Sequence, residues 1–329
     1  RYRKEATGSL DEVAIAAVRD RLKELGLLDA RREAILKSMA DQGVLTGELV
    51  QAVNSALTMA ELEDVYLPYR PKRRTRAIIA REKGLQPLAD LIFSQEKGID
   101  PLKEACPFID PDKGVETVED ALAGARDIIA ERISEDADIR ASMRALFEKE
   151  AVLTSEVYTG AEEEASTYRD YFHWQEPASK APSHRILAIL RGNREAFLKL
   201  TIRPGEDKAL ALLERHVCRK NEPCTEQVRL ACGDSYRRLL APSMENEIRG
   251  MLKDRADDEA IRVFAKNLKE LLMAPPLGRK RVLAIDPGFR TGCKVVCLDA
   301  QGALLHHDVI FLAFSGGSAV EASKAVKGM

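Results

Sequence analysis

Hydrophobic positions in the first third of the chain follow the helical period of three to four residues. Between residues 10 and 98, short runs of this kind are separated by Gly, Pro and helix-capping residues. One run follows Asp29, places Ile35 and Met39 on one face and stops at Gly43. The pattern predicts a series of short amphipathic helices.

Two threonines stand three positions before an acidic residue, which is the spacing of a capping box at a helix N-terminus. The pairs are Thr58 with Glu61 and, in a weaker form, Thr117 with Asp120. Apolar residues at helical spacing follow the second pair, and they predict a helix over residues 121–135 with another helix behind it.

The pattern changes after residue 150. Residues 151–158 and 197–202 alternate in the manner of short strands, and the acidic residues 162–164 between them predict an exposed loop. We interpret this part as a small insertion with β character. Helices are predicted again from Ser183, which we assign as a cap, and over residues 205–219.

A single long helix is predicted from Pro242 to Met273, because this stretch contains no further proline and only one glycine, Gly250. At about 1.5 Å per residue the helix would be roughly 48 Å long. Pro275 and Pro276 then end it.

The last segment has the period of strands. Residues 282–286 form an apolar run that ends in an Asp, and residues 293–298 and 307–312 form two more runs around a turn at 299–302. The sequence therefore predicts a mainly α protein, with a multi-helical N-terminal and central region and a long helix, followed by the beginning of an α/β domain.

Composition agrees with the helical prediction. Only 5% of the residues are aromatic, whereas sandwiches and barrels are enriched in aromatic and β-branched residues. With 51 Lys and Arg against 53 Asp and Glu, attraction to nucleic acid has to come from local clusters rather than from net charge. No uncharged apolar run approaches the roughly 18 residues of a membrane span. We expect a soluble chain with domains at 1–150, 151–277 and 282–329.

The sequence gives little support for a metal site or for disulfide bonds. The six cysteines are too sparse for a disulfide scaffold, and we expect free thiols. One cluster has metal-ligand residue types, but its cysteines are spaced more widely than in zinc knuckles. Its members are His216, Cys218, Cys224 and Cys232. We expect no metal and no cofactor.

A dense group of basic residues is the first candidate site, because no acid interrupts the stretch from residue 70 to residue 81. Its candidates for phosphate contacts are Arg70, Lys72, Arg73, Arg74 and Arg76. With Tyr66 and Tyr69 as stacking partners, the stretch could bind nucleic acid with steep salt dependence. The alternative is an exposed loop whose arginines pair with nearby acids: Glu61, Glu63, Asp64 and Glu82.

Asp286 is the second candidate site residue. An Asp at the end of a buried strand, followed by Pro-Gly and a hairpin, is typical of the first metal-binding carboxylate in a ribonuclease-H-like domain. Two-metal phosphoryl chemistry needs several carboxylates, and the others would come from later elements. Asp286 is therefore a vestigial catalytic candidate, or it caps the turn made with Pro287 and Gly288. We assign Arg290 and Lys294 as solvated or phosphate-facing residues.

Four segments together resemble one known family. They are residues 61–76, 182–185, 286–294 and, cut part-way, the opening 1–8. The combination is similar to the Tex family of bacterial transcription accessory proteins, from Arg1 to about Ile310. The resemblance implies a helical N-terminal region, a ribonuclease-H-like domain of the YqgF type, helix-hairpin-helix motifs and a C-terminal OB-fold that binds RNA. We expect the last two parts to be absent from this chain.

By this resemblance we expect a cytoplasmic, non-catalytic helical scaffold that engages nucleic acid, RNA or DNA, weakly, and the transcription apparatus, without membrane contact. Two other functions stay open: a structure-selective nuclease or resolvase that uses the ribonuclease-H-like site, and a pure protein-interaction scaffold. No Gly-rich phosphate loop, Gly-x-Ser-x-Gly elbow or His-Glu-x-x-His pair occurs, so nucleophilic and nucleotide-hydrolysing enzymes are not favoured.

Overall fold

The computed structural model describes residues 8, 10–71, 74–219, 222–288, 292–311 and 319–328. It contains two compact units, Arg1–Ala260 and Ile261–Met329. Over the described residues the fold is mainly helical with two three-stranded antiparallel sheets. The predicted fold class, mainly α with the start of an α/β domain, is confirmed.

The helices and strands are labelled in chain order. The first helices are α1 Glu12–Asp41, α2 Gly47–Ser55, α3 Met59–Tyr66, α4 Arg76–Glu82, α5 Gln86–Ser94, α6 Pro101–Ala105, α7 Val118–Glu135 and α8 Ala137–Glu150. The middle elements are β1 Val152–Val157, β2 His173–Pro177, α9 Ser183–Arg194, β3 Leu198–Arg203, α10 Glu206–Val217, α11 Thr225–Asp234 and α12 Ala241–Leu272. The last elements are β4 Val282–Asp286, β5 Cys293–Leu298, β6 Leu304–Ile310 and α13 Ala319–Gly328.

The N-terminal helix is longer than its prediction. Helix α1 runs through Gly26 and Asp29 as one helix of 30 residues. It begins where the Asp11 carboxylate accepts a hydrogen bond from the Ala14 amide at 2.7 Å. Gly43, with a φ of 70°, follows its end as predicted. Helices α1, α2 and α3 share a small core made of Leu28, Ile35, Met39, Val53, Ala56, Leu62 and Tyr66.

Helix α7 lies at the centre of the main core and contacts α4, α5, α8 and α11. It begins with a complete capping box, in which the Asp120 amide donates to Thr117 Oγ1 at 3.1 Å and the Thr117 amide donates to Asp120 Oδ2 at 2.9 Å. The pair at α3 is only half formed, because the Glu61 carboxylate accepts from the Leu57 amide instead of reaching Thr58. The pair expected to be weaker is thus the complete one.

The sheet of the first unit has the order β2-β1-β3. Strands β1 and β3 lie where the alternating patterns predict them, and residues 162–164 are exposed as expected. Strand β2 is absent from our prediction. Its two half-buried residues are Trp174 and Glu176. Because Glu176 is charged, the segment lacks the alternation of apolar and polar residues that predicts a strand.

The long helix begins earlier than predicted. Helical structure is continuous from Thr225 through α11, a π-helical segment Ser235–Leu240 and the 32 residues of α12. The prediction began at Pro242 because proline lacks an N–H and clashes with the carbonyl four residues before it. The wider π-helical turns directly upstream relieve this clash, and the helix passes through Pro242.

The sheet of the second unit has the order β4-β5-β6 with antiparallel pairing throughout. All three strands were predicted, although β6 begins at Leu304 rather than at His307. A small core of Cys293, Val295, Ile310 and Ala322 joins β5 and β6 to α13.

Candidate nucleic-acid interface

The basic stretch lies between α3 and α4. Thr75 begins α4 by accepting a hydrogen bond from the Ile78 amide at 3.1 Å. The Thr75 hydroxyl also donates to Glu131 Oε1 of α7 at 2.9 Å, which holds this end of the stretch to the main core. Lys72 and Arg73 lie outside the described residues. The three described candidates of the stretch are all exposed: Arg70, Arg74 and Arg76.

The described arginines of the stretch differ in their counter-charges. Arg74 Nη2 lies 2.8 Å from Glu82 Oε2, in a pair whose two side chains are both largely exposed. Within the described part of the chain, the side chains of Arg70 and Arg76 have neither an ion pair nor a hydrogen bond. The alternative of an internally paired loop therefore holds for Arg74 and fails for Arg70 and Arg76.

Two of the acids that the paired-loop alternative includes have other partners. Glu63 pairs with Arg31 of α1, and Asp64 is buried between Arg140 and Arg144 of α8. Their charges are compensated by arginines of α1 and α8. They consequently do not offset the positive charge of the basic stretch.

The prediction that Tyr66 offers a stacking surface is wrong. This side chain is 6% exposed, its hydroxyl shares a hydrogen bond of 2.9 Å with Ser38 Oγ, and the Arg31 guanidinium lies 5.6 Å from its ring centroid. Tyr69 is half-buried against the same small core. The stretch therefore presents charge to a ligand, with little aromatic surface.

Asp286 ends β4 and is the register partner of Lys294 on β5. The Cβ atoms of directly opposed residues in antiparallel strands are about 5 Å apart, so a cation stands beside this carboxylate. Both residues are exposed, and so is most of β4. The prediction of a buried strand is wrong here, because the described core of this unit is formed by β5, β6 and α13.

Arg290 and the other turn residues, 289 and 291, lie outside the described part of the chain. The phosphate contact of Arg290 and the turn cap by Asp286 stay predictions. Lys294 is exposed and available to an anionic ligand.

The segment 182–185 has a structural role that the sequence did not reveal. Ser183 is the first residue of α9 rather than its cap, and its hydroxyl donates to Glu259 of α12. Arg185 donates to Glu176 of β2 at 2.6 Å and lies over the Trp174 ring, 4.4 Å from the centroid. The segment thereby joins α9 to α12 and to the sheet.

The cluster of His and Cys residues does not converge on one point, although the Cys218 and Cys232 thiols are hydrogen-bonded to each other. The His216 ring interacts with the Leu212 carbonyl and with Ser142, and the Cys224 thiol donates to the Ile99 carbonyl. Among the described residues, no group of three or more His, Cys, Asp or Glu could hold a metal ion. All six cysteines are free.

Among the described residues, no helix is both long enough and apolar enough to cross a membrane.

Three protein-family models match consecutive parts of the chain: the Tex-like protein N-terminal domain at residues 1–40, the Tex central region-like model at 96–264, and the Tex protein YqgF-like domain at 280–329. The last of these coincides with the predicted start of an α/β domain.

Curated relatives cover nearly the whole chain. Protein YhgF of Escherichia coli is 43% identical over 94% of the chain and 41% of its own length. The transcriptional accessory protein Tex of Neisseria gonorrhoeae is 36% identical over 99% of the chain and 44% of its own length. The human S1 RNA-binding domain-containing protein 1 is 27% identical over 95% of the chain and 32% of its own length. The chain thus spans less than half of these relatives, and it belongs to the Tex family.

Proposed function

We propose that the chain is the non-catalytic helical scaffold of a cytoplasmic transcription accessory factor and that it binds nucleic acid. The observation that carries this proposal is the exposed basic stretch, in which the side chains of Arg70 and Arg76 make no ion pair and no hydrogen bond with the described residues. The names of two relatives, a transcriptional accessory protein and an RNA-binding domain protein, support the same role. The transcription apparatus is the second partner in this proposal.

The chemistry of the stretch selects phosphates rather than bases. Arginine donates in a planar fork that fits phosphate oxygens. Tyr66 is buried, so little aromatic surface is present to stack on bases. The Arg74–Glu82 pair is exposed, and such pairs contribute about 0–1 kcal/mol, so a phosphate can replace Glu82 at small cost. Binding through this surface is expected to be weak and indifferent to sequence.

We expect reversal of Lys72, Arg73, Arg74 and Arg76 to Glu to abolish the binding contributed by this stretch. If each residue neutralises one phosphate, the slope of log K against log salt should fall by up to about 3.6 for duplex and about 2.8 for single strands. The measurement is fluorescence anisotropy of labelled oligonucleotides over a range of salt concentrations.

The matched control reverses four basic residues of α1 that are exposed and lie outside the stretch: Arg19, Arg21, Lys23 and Lys37. It changes the net charge by the same amount, so it separates local phosphate contact from the field of the whole protein. If the two variants have equal affinities and equal slopes of log K against log salt, and both keep their helical circular dichroism, the stretch is an ordinary surface loop.

A nuclease is the second candidate, favoured by the position of Asp286 at the end of a strand in a YqgF-like domain. We propose that the chain lacks this activity, because one carboxylate cannot organise two metal ions and Asp286 faces Lys294 across the ladder. Incubation with Mg²⁺ or Mn²⁺ should leave single-stranded, duplex and branched substrates intact. Cleavage that is lost in Asp286→Ala would contradict this proposal.

A pure protein-interaction scaffold is the third candidate. The C-terminal part of α12 favours it, since several large apolar residues are exposed there: Ile261, Val263, Phe264, Leu268, Leu271 and Leu272. This function predicts that the chain binds neither single-stranded nor duplex oligonucleotides at low salt, and the anisotropy measurement above tests it directly.

A further inference from the structure

Helices α9 and α12 form a groove of about 640 Å³ in the first unit. Leu187 and Leu190 of α9 and Gly250 of α12 are among the residues that line it. A Cβ atom added at Gly250 would meet no heavy atom within 4 Å, so the backbone is open to a ligand here. The basic residues that line the groove are Arg191, Arg194, Arg249 and Lys253.

The positive charge of the groove is only partly compensated. Arg191 pairs with Glu195 at 2.9 Å, and Lys253 pairs with Asp257 in the adjacent turn of α12. Arg194 is exposed and has no ion pair or hydrogen bond through its side chain within the described ranges. Arg194 is therefore the one lining cation without an ion pair among the described residues.

Lys253 of α12 and Arg194 of α9 line the groove from different helices. The hydrogen bond of the ammonium to Asp257 is the largest cause that raises the pKa of Lys253, the charge of Asp254 also raises it, and the positive charge of Arg194 opposes the shift by a smaller amount. An anion in the groove would be attracted by cations from both helices.

Arg249 adds a cation that is partly buried. Its side chain is 33% exposed, its Nη1 donates to Asn193 Oδ1 of α9 at 3.4 Å, and its Nη2 lies 3.9 Å from Glu245 Oε1. The buried Glu245 already accepts from the Ile202 amide at 2.9 Å. The Arg249 Nε atom is buried without a hydrogen-bond partner, and the long contacts of the two Nη atoms leave their remaining donors for a ligand.

We propose that this groove binds the phosphate backbone of single-stranded nucleic acid, at a site separate from the basic stretch. The inference rests on the nucleic-acid role proposed above. Three of the four cations are arginines, the residue that suits phosphate geometry best. A concave groove admits one strand, whereas a duplex presents a convex surface. None of the residues that line the groove is aromatic, so binding does not depend on base identity.

The spacing of the cations agrees with a strand that runs along the groove. Arg191 and Arg194 are three positions apart on α9, and Arg249 and Lys253 are four positions apart on α12. Residues at these spacings are about 5–6 Å apart at Cβ on one face of a helix. Each helix therefore offers two neighbouring cations to the phosphates of one strand.

The test is the double reversal Arg194→Glu with Lys253→Glu. Both side chains are exposed, so the fold should be kept. The matched control is Lys180→Glu with Lys199→Glu, because both lysines are exposed and neither lines the groove. The probes are labelled oligo(U) and oligo(dT) of about twelve nucleotides, a mixed-sequence duplex and a labelled oligoglutamate peptide, each measured by anisotropy.

We expect the groove variant to bind both single strands at least about tenfold more weakly at low salt and to lose about 1.4 from the log K against log salt slope. The duplex and the control variant should change little. Single-strand affinity equal to that of the control would overturn the proposal. Loss of oligoglutamate binding with single-strand binding unchanged would also overturn it, and would assign the groove to acidic peptides.

The basic-stretch variant separates this inference from the proposed function. If that variant loses single-strand binding and the groove variant does not, the groove proposal fails and the nucleic-acid role stands. If the unaltered chain binds no oligonucleotide, the proposed function is wrong, and the groove proposal, which rests on it, is wrong as well. Retention of single-strand binding by the stretch variant and its loss in the groove variant would support the groove directly.

Discussion

Replacing Asp64 with Ala is expected to lower the free energy of unfolding by about 3–5 kcal/mol. The Asp64 side chain is 6% exposed, and its two oxygens accept from Arg140 Nε and, at 2.6 Å, from Arg144 Nη2. These arginine side chains are themselves only 9% and 13% exposed. The substitution leaves two guanidinium groups in the core without their shared carboxylate, and that desolvated charge has a large cost.

Glu63 provides a matched control on the same helix. Its carboxylate also binds an arginine through two contacts, Arg31 Nε and, at 3.1 Å, Arg31 Nη2. Both side chains are 37% exposed, so water replaces the lost partner and Glu63→Ala should cost about 0–1 kcal/mol. Urea unfolding followed by far-UV circular dichroism compares the two variants. Similar losses for both would show that burial does not decide the value of these pairs.

The partners of Asp64 also show what the sequence could not predict. The acid lies six residues before the basic stretch, which made pairing with the stretch a reasonable hypothesis, but its partners are 76 and 80 residues away on α8. Arg140 and Arg144 extend the network to Ser243 and Glu247 of α12. Charge pairing across α3, α8 and α12 depends on tertiary packing. The spacing of residues along the sequence does not reveal it.

Elements with a local signal were predicted well. The strands β4 and β5 and the capping box of α7 depend on residues within a few positions of each other, and all three occur. Strand β2 and the continuation of the long helix upstream of Pro242 depend on neighbours that the sequence does not identify. The β2 residues are defined as a strand by their ladder with β1, and the π-helical segment offsets a local helix breaker.

The two candidate sites likewise differ in how close their residues lie in the sequence. The basic stretch is contiguous, so its residues could be selected from the sequence, although its counter-charges could not. The groove between α9 and α12 combines Arg194 with Lys253, residues on helices that are separate in the chain. Each pair of cations shows the helical spacing of an ordinary solvated face. Only the packing of the two helices reveals that the cations converge.

A second large effect is expected in the main core. Phe147 of α8 is fully buried, and its substitution by Ala should cost about 3–5 kcal/mol, through lost apolar burial and through the cavity that remains. The side chain borders a recess of about 300 Å³ that is also lined by Ile248 and Leu252 of α12. Removing the ring extends this recess into the core, so the surrounding side chains cannot close the space by small shifts, and the loss should lie in the upper part of that range.

Phe264→Ala is the control for this prediction, because it removes the same atoms from a side chain that is 67% exposed. Its effect should lie within about 0.5 kcal/mol, as for other surface substitutions. Urea unfolding curves of both variants, measured under the same conditions, give the comparison. A loss at Phe264 as large as that at Phe147 would mean that the exposed apolar face of α12 is covered in solution, and it would favour the protein-interaction function over a free helical surface.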